Sequence, residues 1–136
     1  MKHLEVVAGI IIYDDKILCM QRNVGKYDYI TYKYEFPGGK IEEGETKAEA
    51  LMRELREEME LEVSISDKDF FMTVTHEYPD FLITMHSFIC KTDTMEFVRK
   101  EHINHQWLKV NELENLNWAA ADKPIVEKIL NGPSKI

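Results

Sequence analysis

The chain has 136 residues, 44% of them hydrophobic, which is enough for one domain of residues 1–136 with a buried core and leaves no room for a second. Its net charge of -8 argues against non-specific binding to nucleic acid, which rests on lysine and arginine neutralising phosphates. Cys19 and Cys90 lie in separate apolar runs without partners at metal-ligand spacing, so both read as reduced core thiols and no disulfide framework is indicated.

The start, MKHLEVVAGIII, is apolar but short, lacks a small-residue cleavage site and runs into a turn at Tyr13, Asp14 and Asp15. A soluble, cytoplasmic protein with no membrane partner is expected. Val6 to Tyr13 and Ile17 to Gln21 flank Asp14-Asp15-Lys16 as two buried strands of a hairpin. Beyond Arg22, the segment NVGKYDYITYKYEF carries Tyr27, Tyr29, Tyr32 and Tyr34. Tyr32 and Tyr34 alternate with polar residues, as in a half-exposed strand entering a glycine loop. These tyrosines either pack a sheet edge or wall a base-stacking site.

A helix from about Lys47 to Met59 follows the glycine loop. Thr46 with Glu49 is a capping-box pair, and Ala48, Leu51, Leu55 and Met59 recur at helical spacing. At roughly 100° per residue, Glu54, Glu57 and Glu58 crowd one face, away from that apolar stripe. Like charges at this spacing repel unless cations sit among them, and carboxylate oxygens suit hard ions such as Mg2+ or Mn2+.

After the helix, Leu61 to Ile65 alternates apolar and polar residues. Phe70 to Thr75 and Phe81 to Cys90 then read as a second hairpin about Tyr78-Pro79-Asp80. Asn104 to Val110 is a short last strand, Val110 to Leu116 one helical turn, and Lys123 to Leu130 a final helix with Asp122 as N-cap, Pro124 in its first turn and Gly132 beyond its end. Strands on both sides of a central helix predict an α/β fold, a mixed sheet with helices packed on it. His76, His86, His102 and His105 lack the spacing of a zinc site.

The stretch Gly38 to Leu61, GGKIEEGETKAEALMRELREEMEL, resembles the Nudix box, a glycine, five residues, a glutamate, seven residues, then Arg-Glu-aliphatic-x-Glu-Glu-x-Gly-aliphatic. Gly39, Glu45, Arg53, Glu54, Leu55, Glu57, Glu58 and Leu61 match it in register. The resemblance implies the Nudix fold, an α/β/α sandwich around a mixed sheet with a loop-helix-loop. It also implies metal-dependent hydrolysis of a nucleoside triphosphate to the monophosphate and pyrophosphate, with Mg2+ or Mn2+ as cofactor. The implied metal ligands are Glu54, Glu57, Glu58 and the Gly39 carbonyl, with Arg53 orienting Glu45 and through it the loop; residue spacing alone would pair Arg53 with Glu57 or Glu49.

In MutT-like members a further carboxylate precedes the last strand. Lys100-Glu101-His102 occupies that place, making Glu101 an additional ligand or the general base; the choice of base among Glu54, Glu57 and Glu101 stays open. Arg22 matches a position after the second strand and either binds phosphate or is a surface arginine. EFPGGKIE, from Glu35 to Glu42, resembles MutT-like members, and the tail LNWAAADKPIVEKIL resembles theirs and that of bacterial CTP pyrophosphohydrolases. Arg22, Tyr34, Phe36 and Asp122 are thus the expected substrate contacts.

An ionised Asp122 only accepts hydrogen bonds, which suits the exocyclic amine of cytosine and favours CTP, dCTP or 5-methyl-dCTP. The alternatives are 8-oxo-dGTP, then nucleoside diphosphate derivatives such as ADP-ribose, then a catalytically silent nucleotide-binding regulator. A monomer or homodimer is expected. Glu60 stands where the motif has glycine, so either it accepts a left-handed conformation or the helix runs on. Glu60→Gly is expected to raise stability and leave turnover nearly intact.

Overall fold

The run Val6 to Ile12 has no polar alternation because the strand that carries it is covered on both faces. That strand, β1 (Lys2–Tyr13), belongs to a seven-stranded mixed sheet in a computed structural model that describes residues 1–132. The other strands are β2 (Lys16–Gln21), β3 (Tyr34–Glu35), β4 (Gly38–Lys40), β5 (Phe70–Glu77), β6 (Phe81–Lys91) and β7 (Asn104–Lys109). Their order is β3-β2-β1-β6-β5, with β4 on β1 and β7 on β2.

Ala8, Ile10 and Ile12 point into one apolar cluster with Trp118, Ile125, Val126 and Ile129, the last three from helix α2 (Lys123–Asn131). Val7 and Ile11 point into the other with Phe88 and with Leu51, Leu55 and Met59 of helix α1 (Lys47–Met59). The sheet is therefore the middle layer of an α/β/α sandwich.

Two features of β1 place the glycine loop. Its far end pairs antiparallel with β2 (Ile12 opposite Ile17), while Val6, Val7 and Ala8 pair with Lys40, Gly39 and Gly38 of β4. Gly38 is obligatory there, since a Cβ at that position would overlap the Val7 carbonyl.

Helix α1 begins with the expected reciprocal cap. The Thr46 hydroxyl accepts from Glu49 N at 3.1 Å, and the Glu49 carboxylate accepts from Thr46 N at 2.9 Å. It ends in a Schellman arrangement, Glu60 N to Arg56 O and Leu61 N to Leu55 O, with Glu60 itself left-handed (φ 50, ψ 36). The helix does not run on. Glu60 accepts a conformation that costs a non-glycine residue roughly 1 kcal/mol.

The structure departs from the sequence reading at several places. β1 starts at Lys2 rather than Val6. The tyrosine segment contributes only Tyr34 and Glu35 to the sheet, because Tyr32 is left-handed (φ 62) and the chain turns on itself between Tyr27 and Lys33. Leu61 to Ile65 joins no ladder, although Leu61 and Ile65 are buried against α1. The helical turn after β7 is a 3-10 turn, Val110–Asn115. Asp122 occupies the N-cap position of α2 but makes no capping bond, its carboxylate being engaged elsewhere.

Candidate active site

Arg53 projects from α1 back toward the glycine loop, where four carboxylates and one backbone carbonyl hold it. Its Nε and NH2 donate to Glu45 Oε2 and Oε1 at 2.6 and 3.0 Å, a two-pronged grip on one carboxylate. NH2 also donates to the Lys40 carbonyl, Nε lies 3.1 Å from Glu42, and NH1 donates to Glu54 at 2.9 Å and Glu57 at 3.0 Å. The Arg53 hydrogen bonds hold the Glu45 carboxyl below its usual range. Both Glu45, implied by the resemblance, and Glu57, favoured by spacing, are partners. Glu42 is a further partner that neither the spacing nor the resemblance indicates.

The carboxylates that meet are Glu54, Glu58 and Glu101. Burial, then the charges and hydrogen bonds of Glu54 and Glu101, push the Glu58 carboxyl up to about 8. Glu58 thus favours its neutral form beside two further carboxyl groups, a crowding that a cation would relieve. Beside them, a Cβ on Gly39 would strike the Glu54 carboxylate, so glycine leaves the loop backbone open to this cluster. All-oxygen donors in a crowded, partly buried set fit a hard divalent ion. Glu57 stands apart from this group, its half-exposed side chain turned to Arg53. Arg53 bonds Glu54 as well, and no three acidic, histidine or cysteine side chains among the described residues are already gathered at metal-holding spacing.

Two adjoining cavities meet at Arg22, Glu35 and Gly38. The smaller, about 220 Å³, is polar and lined also by Glu58, Glu101 and His102. The larger, about 390 Å³, is walled by Phe36, Tyr27, Tyr78, Phe81 and Asp122. Burial raises the Glu35 carboxyl, but the hydrogen bond from His102 (2.9 Å) and the adjacent Arg22 (3.0 Å) outweigh it and hold Glu35 ionised. Arg22 Nε is buried and has no partner among the described residues, leaving a cationic donor at the junction of the cavities.

The larger cavity is aromatic for a reason partly visible in the sequence. Tyr27 stacks on Tyr29 with ring centroids 5.2 Å apart and leans on Phe81, which packs against Tyr78. Phe36 stacks on Trp118 at 4.7 Å. Tyr34, expected to contact substrate, does not line this cavity. Its ring is buried beside Trp118 and its hydroxyl accepts from Gln106.

Asp122 is 4% exposed and accepts from Phe36 N at 3.1 Å. Burial first, and the Glu35 charge second, raise its carboxyl well above the usual aspartate range. This rise favours the neutral carboxyl, which donates as well as accepts, over the acceptor-only carboxylate expected from the sequence. The Cys19 thiol is likewise pushed up by burial, to about 12, and is inert.

Comparison with known proteins shows the family of this chain. The NUDIX domain model matches residues 3–129. The chain is 32% identical over 131 residues to the 8-oxo-dGTP diphosphatase of Escherichia coli K12, covering 95% of this chain and 98% of that one. It is also 32% identical over 130 residues to the CTP pyrophosphohydrolase of the same organism, covering 96% and 93%. Among solved structures, the E. coli ORF135 protein superposes with a TM-score of 0.81 at 31% identity, over 100% of this chain and 96% of that one. The MutT Nudix hydrolase from methicillin-resistant Staphylococcus aureus 252 superposes with a TM-score of 0.74 at 40% identity, over 96% and 98%. With the box residues gathered around Arg53, the matched model spanning nearly every strand and helix, and relatives named as diphosphatases and pyrophosphohydrolases, this chain belongs to the NUDIX family and is a Nudix hydrolase.

Proposed function

We propose that this hydrolase is a Mg2+-dependent nucleoside triphosphate pyrophosphohydrolase, releasing a nucleoside monophosphate and pyrophosphate, with cytosine nucleotides as its preferred substrates. The observation that carries the reading is the meeting of Glu54, Glu58 and Glu101 beside Gly39, at the polar end of a cleft whose other end is aromatic. All of it is carried by a single domain.

Glu54, Glu58 and the Gly39 carbonyl would hold the metal, with Glu101 completing the acidic set and Glu57, turned to Arg53, flanking it. Bound Mg2+ supplies neutralisation of the phosphate oxygens and polarisation of the phosphorus under attack. Arg53 keeps Glu54 and Glu57 aimed through NH1 and fixes the loop through Glu45. Arg22, with its unpartnered Nε, takes a phosphate oxygen. Glu101 is the proposed base for the attacking water, as the acidic side chain beside Glu58 that Arg53 does not hold. Phe36, Tyr27 and Phe81 enclose the base, and Asp122 reads its edge. In its neutral form the Asp122 hydroxyl donates to cytosine N3 while its carbonyl oxygen accepts from N4.

One observation supports a second reading. A neutral Asp122 presents a donor and an acceptor as an asparagine amide does, and can therefore also pair with the O6 and N1–H of an oxidised guanine. The test is pyrophosphate release with Mg2+ on CTP, dCTP, 5-methyl-dCTP and 8-oxo-dGTP, compared as kcat/KM. Highest efficiency on a cytosine nucleotide supports the proposal. Preference for 8-oxo-dGTP replaces it with the second reading, and binding without turnover on every nucleotide overturns both.

A further inference from the structure

The residue that breaks the family motif, Glu60, has a partner in the fold. Its carboxylate lies 3.1 Å from Lys100 Nζ, and Lys100 is the residue immediately before Glu101. The same ammonium donates to the Glu57 carbonyl at 3.2 Å, and Val98 N donates to the Met59 carbonyl at 2.9 Å. Both carbonyls belong to the last turn of α1, whose acceptors have no partner within the helix. The loop before β7 thus supplies the C-terminal cap of α1, and a cation is favoured there by the helix dipole.

On its other side Glu101 is followed by a second tether. His102 Nε2 donates to Glu35 at 2.9 Å, and Ile103 N donates to the Gln21 carbonyl at 3.0 Å. Glu101 therefore sits between one anchor on the helix that carries Glu54 and Glu58 and another on the β2–β3 edge of the sheet. The His102 anchor is buried, its side chain 10% exposed, and needs nothing further to hold. The Lys100 anchor is half-exposed (43%) on a long flexible stem with two acceptors, one of them the Glu60 carboxylate.

We propose that Glu60 and Lys100 form a positioning pair that fixes the approach of Glu101 to the Glu54–Glu58 cluster. A glycine at residue 60 has no carboxylate and cannot do this. The left-handed strain accepted at Glu60 is then the cost of a catalytic alignment. The proposal rests on the reading of Glu101 as part of the metal and base machinery. An exposed ion pair of this kind contributes little to global stability, so its effect belongs in turnover.

The separating experiment is Glu60→Gly, which removes the strain and the carboxylate together. Melting temperature, kcat, KM, Mg2+ affinity by calorimetry, and amide hydrogen exchange at Val98 and Ile103 in metal-free protein are measured beside Glu60→Gln, Lys100→Gln, Lys100→Arg and the double glutamine variant. The pair predicts that Glu60→Gly melts higher than wild type but, contrary to the nearly intact turnover expected from the sequence alone, turns over about ten-fold more slowly with KM little changed, as the loss of an orienting contact does. Glu60→Gln and Lys100→Gln both slow turnover, weaken Mg2+ binding and speed exchange at those amides. The double variant is no worse than either single one, and Lys100→Arg retains activity.

A field effect on the metal would act differently, because removing a negative and a positive charge should move Mg2+ affinity in opposite directions. Opposite shifts, additive losses, or wild-type kcat in Glu60→Gly overturn the proposal. Glu101→Gln separates it from the reading beneath it. Full turnover in that variant removes the role of Glu101 and the pair with it, whereas impaired turnover there with normal Glu60 and Lys100 variants removes the pair alone.

Discussion

Arg53 and Glu45 face each other fork to carboxylate, with two hydrogen bonds of 2.6 and 3.0 Å between a helix and the loop that precedes it. A lysine carries the same charge but cannot make both contacts at once or reach Lys40 O, Glu54 and Glu57 at the same time. Arg53→Lys should lower kcat at saturating Mg2+ by roughly 10- to 100-fold, as loss of a group that orients metal ligands does. Wild-type kcat in this variant would show that the glycine loop holds its place without the fork.

The raised carboxyl of Glu58 gives the metal-free protein a pH signature. Its carboxyl is raised in the fold from the ordinary 4.5 to about 8. The stability contributed by its neutral form is complete below about 4.5 and is lost as pH rises through about 8. The urea midpoint measured with chelator should therefore fall across that window, and Glu58→Gln should flatten the fall. Adding Mg2+ to both at a hundred times the wild-type Kd should restore about 2.7 kcal/mol to wild type and less to the weaker-binding variant. A flat midpoint in chelator would mean the three carboxylates do not meet in solution.

Asp122→Asn tests the buried carboxyl. The raised group contributes stability that is present below its ordinary value of 3.8 and is lost as pH rises through its raised value in the fold. Asparagine still accepts from Phe36 N and never ionises. The variant should thus gain on wild type as pH is raised, read as a growing difference in denaturation midpoint between pH 5 and pH 8. The same variant should leave the ratio of kcat/KM on 8-oxo-dGTP to that on CTP little changed, because the amide presents the donor and acceptor that the neutral carboxyl does. Parallel stability profiles would place an ionised carboxylate in the cavity.

Tyr27→Leu keeps apolar bulk but removes the ring from the cavity wall. Stacking on an aromatic ring is worth about 1–3 kcal/mol per base, so KM should rise roughly ten-fold or more, with the loss in KM rather than kcat. An unchanged KM would move the base away from this wall, toward Phe36 and Trp118.

Helix α1 was legible to the residue because its signals are local. Thr46 and Glu49 are three apart, the apolar stripe repeats within the helix, and Arg53 and Glu45 occupy fixed motif positions. What could not be read depends on distant chain. The triplet Gly38-Gly39-Lys40 has no strand propensity and becomes β4 only because Val6 to Ala8 lie beside it. Asp122 looks like a helix cap, and nothing near it announces the amide of Phe36 as its partner. Tyr27 and Tyr34 were indistinguishable as aromatic residues in polar surroundings; the left-handed turn at Tyr32 separates them, sending one to the cavity and the other into the core. The Lys100 and His102 contacts left no trace except their adjacency to Glu101.

The long parallel pairing of β1 with β6 also governs how fast this cleft can come into being. Lys2 lies opposite Phe81, and every later rung joins residues roughly eighty positions apart, so no local nucleus can zip this ladder. The segment that must be looped out while the two strands find each other includes the glycine loop, α1 and five of the six tyrosines. Folding is accordingly slow for a chain of this length, and until the last rungs close, an apolar strand edge lies open to self-association.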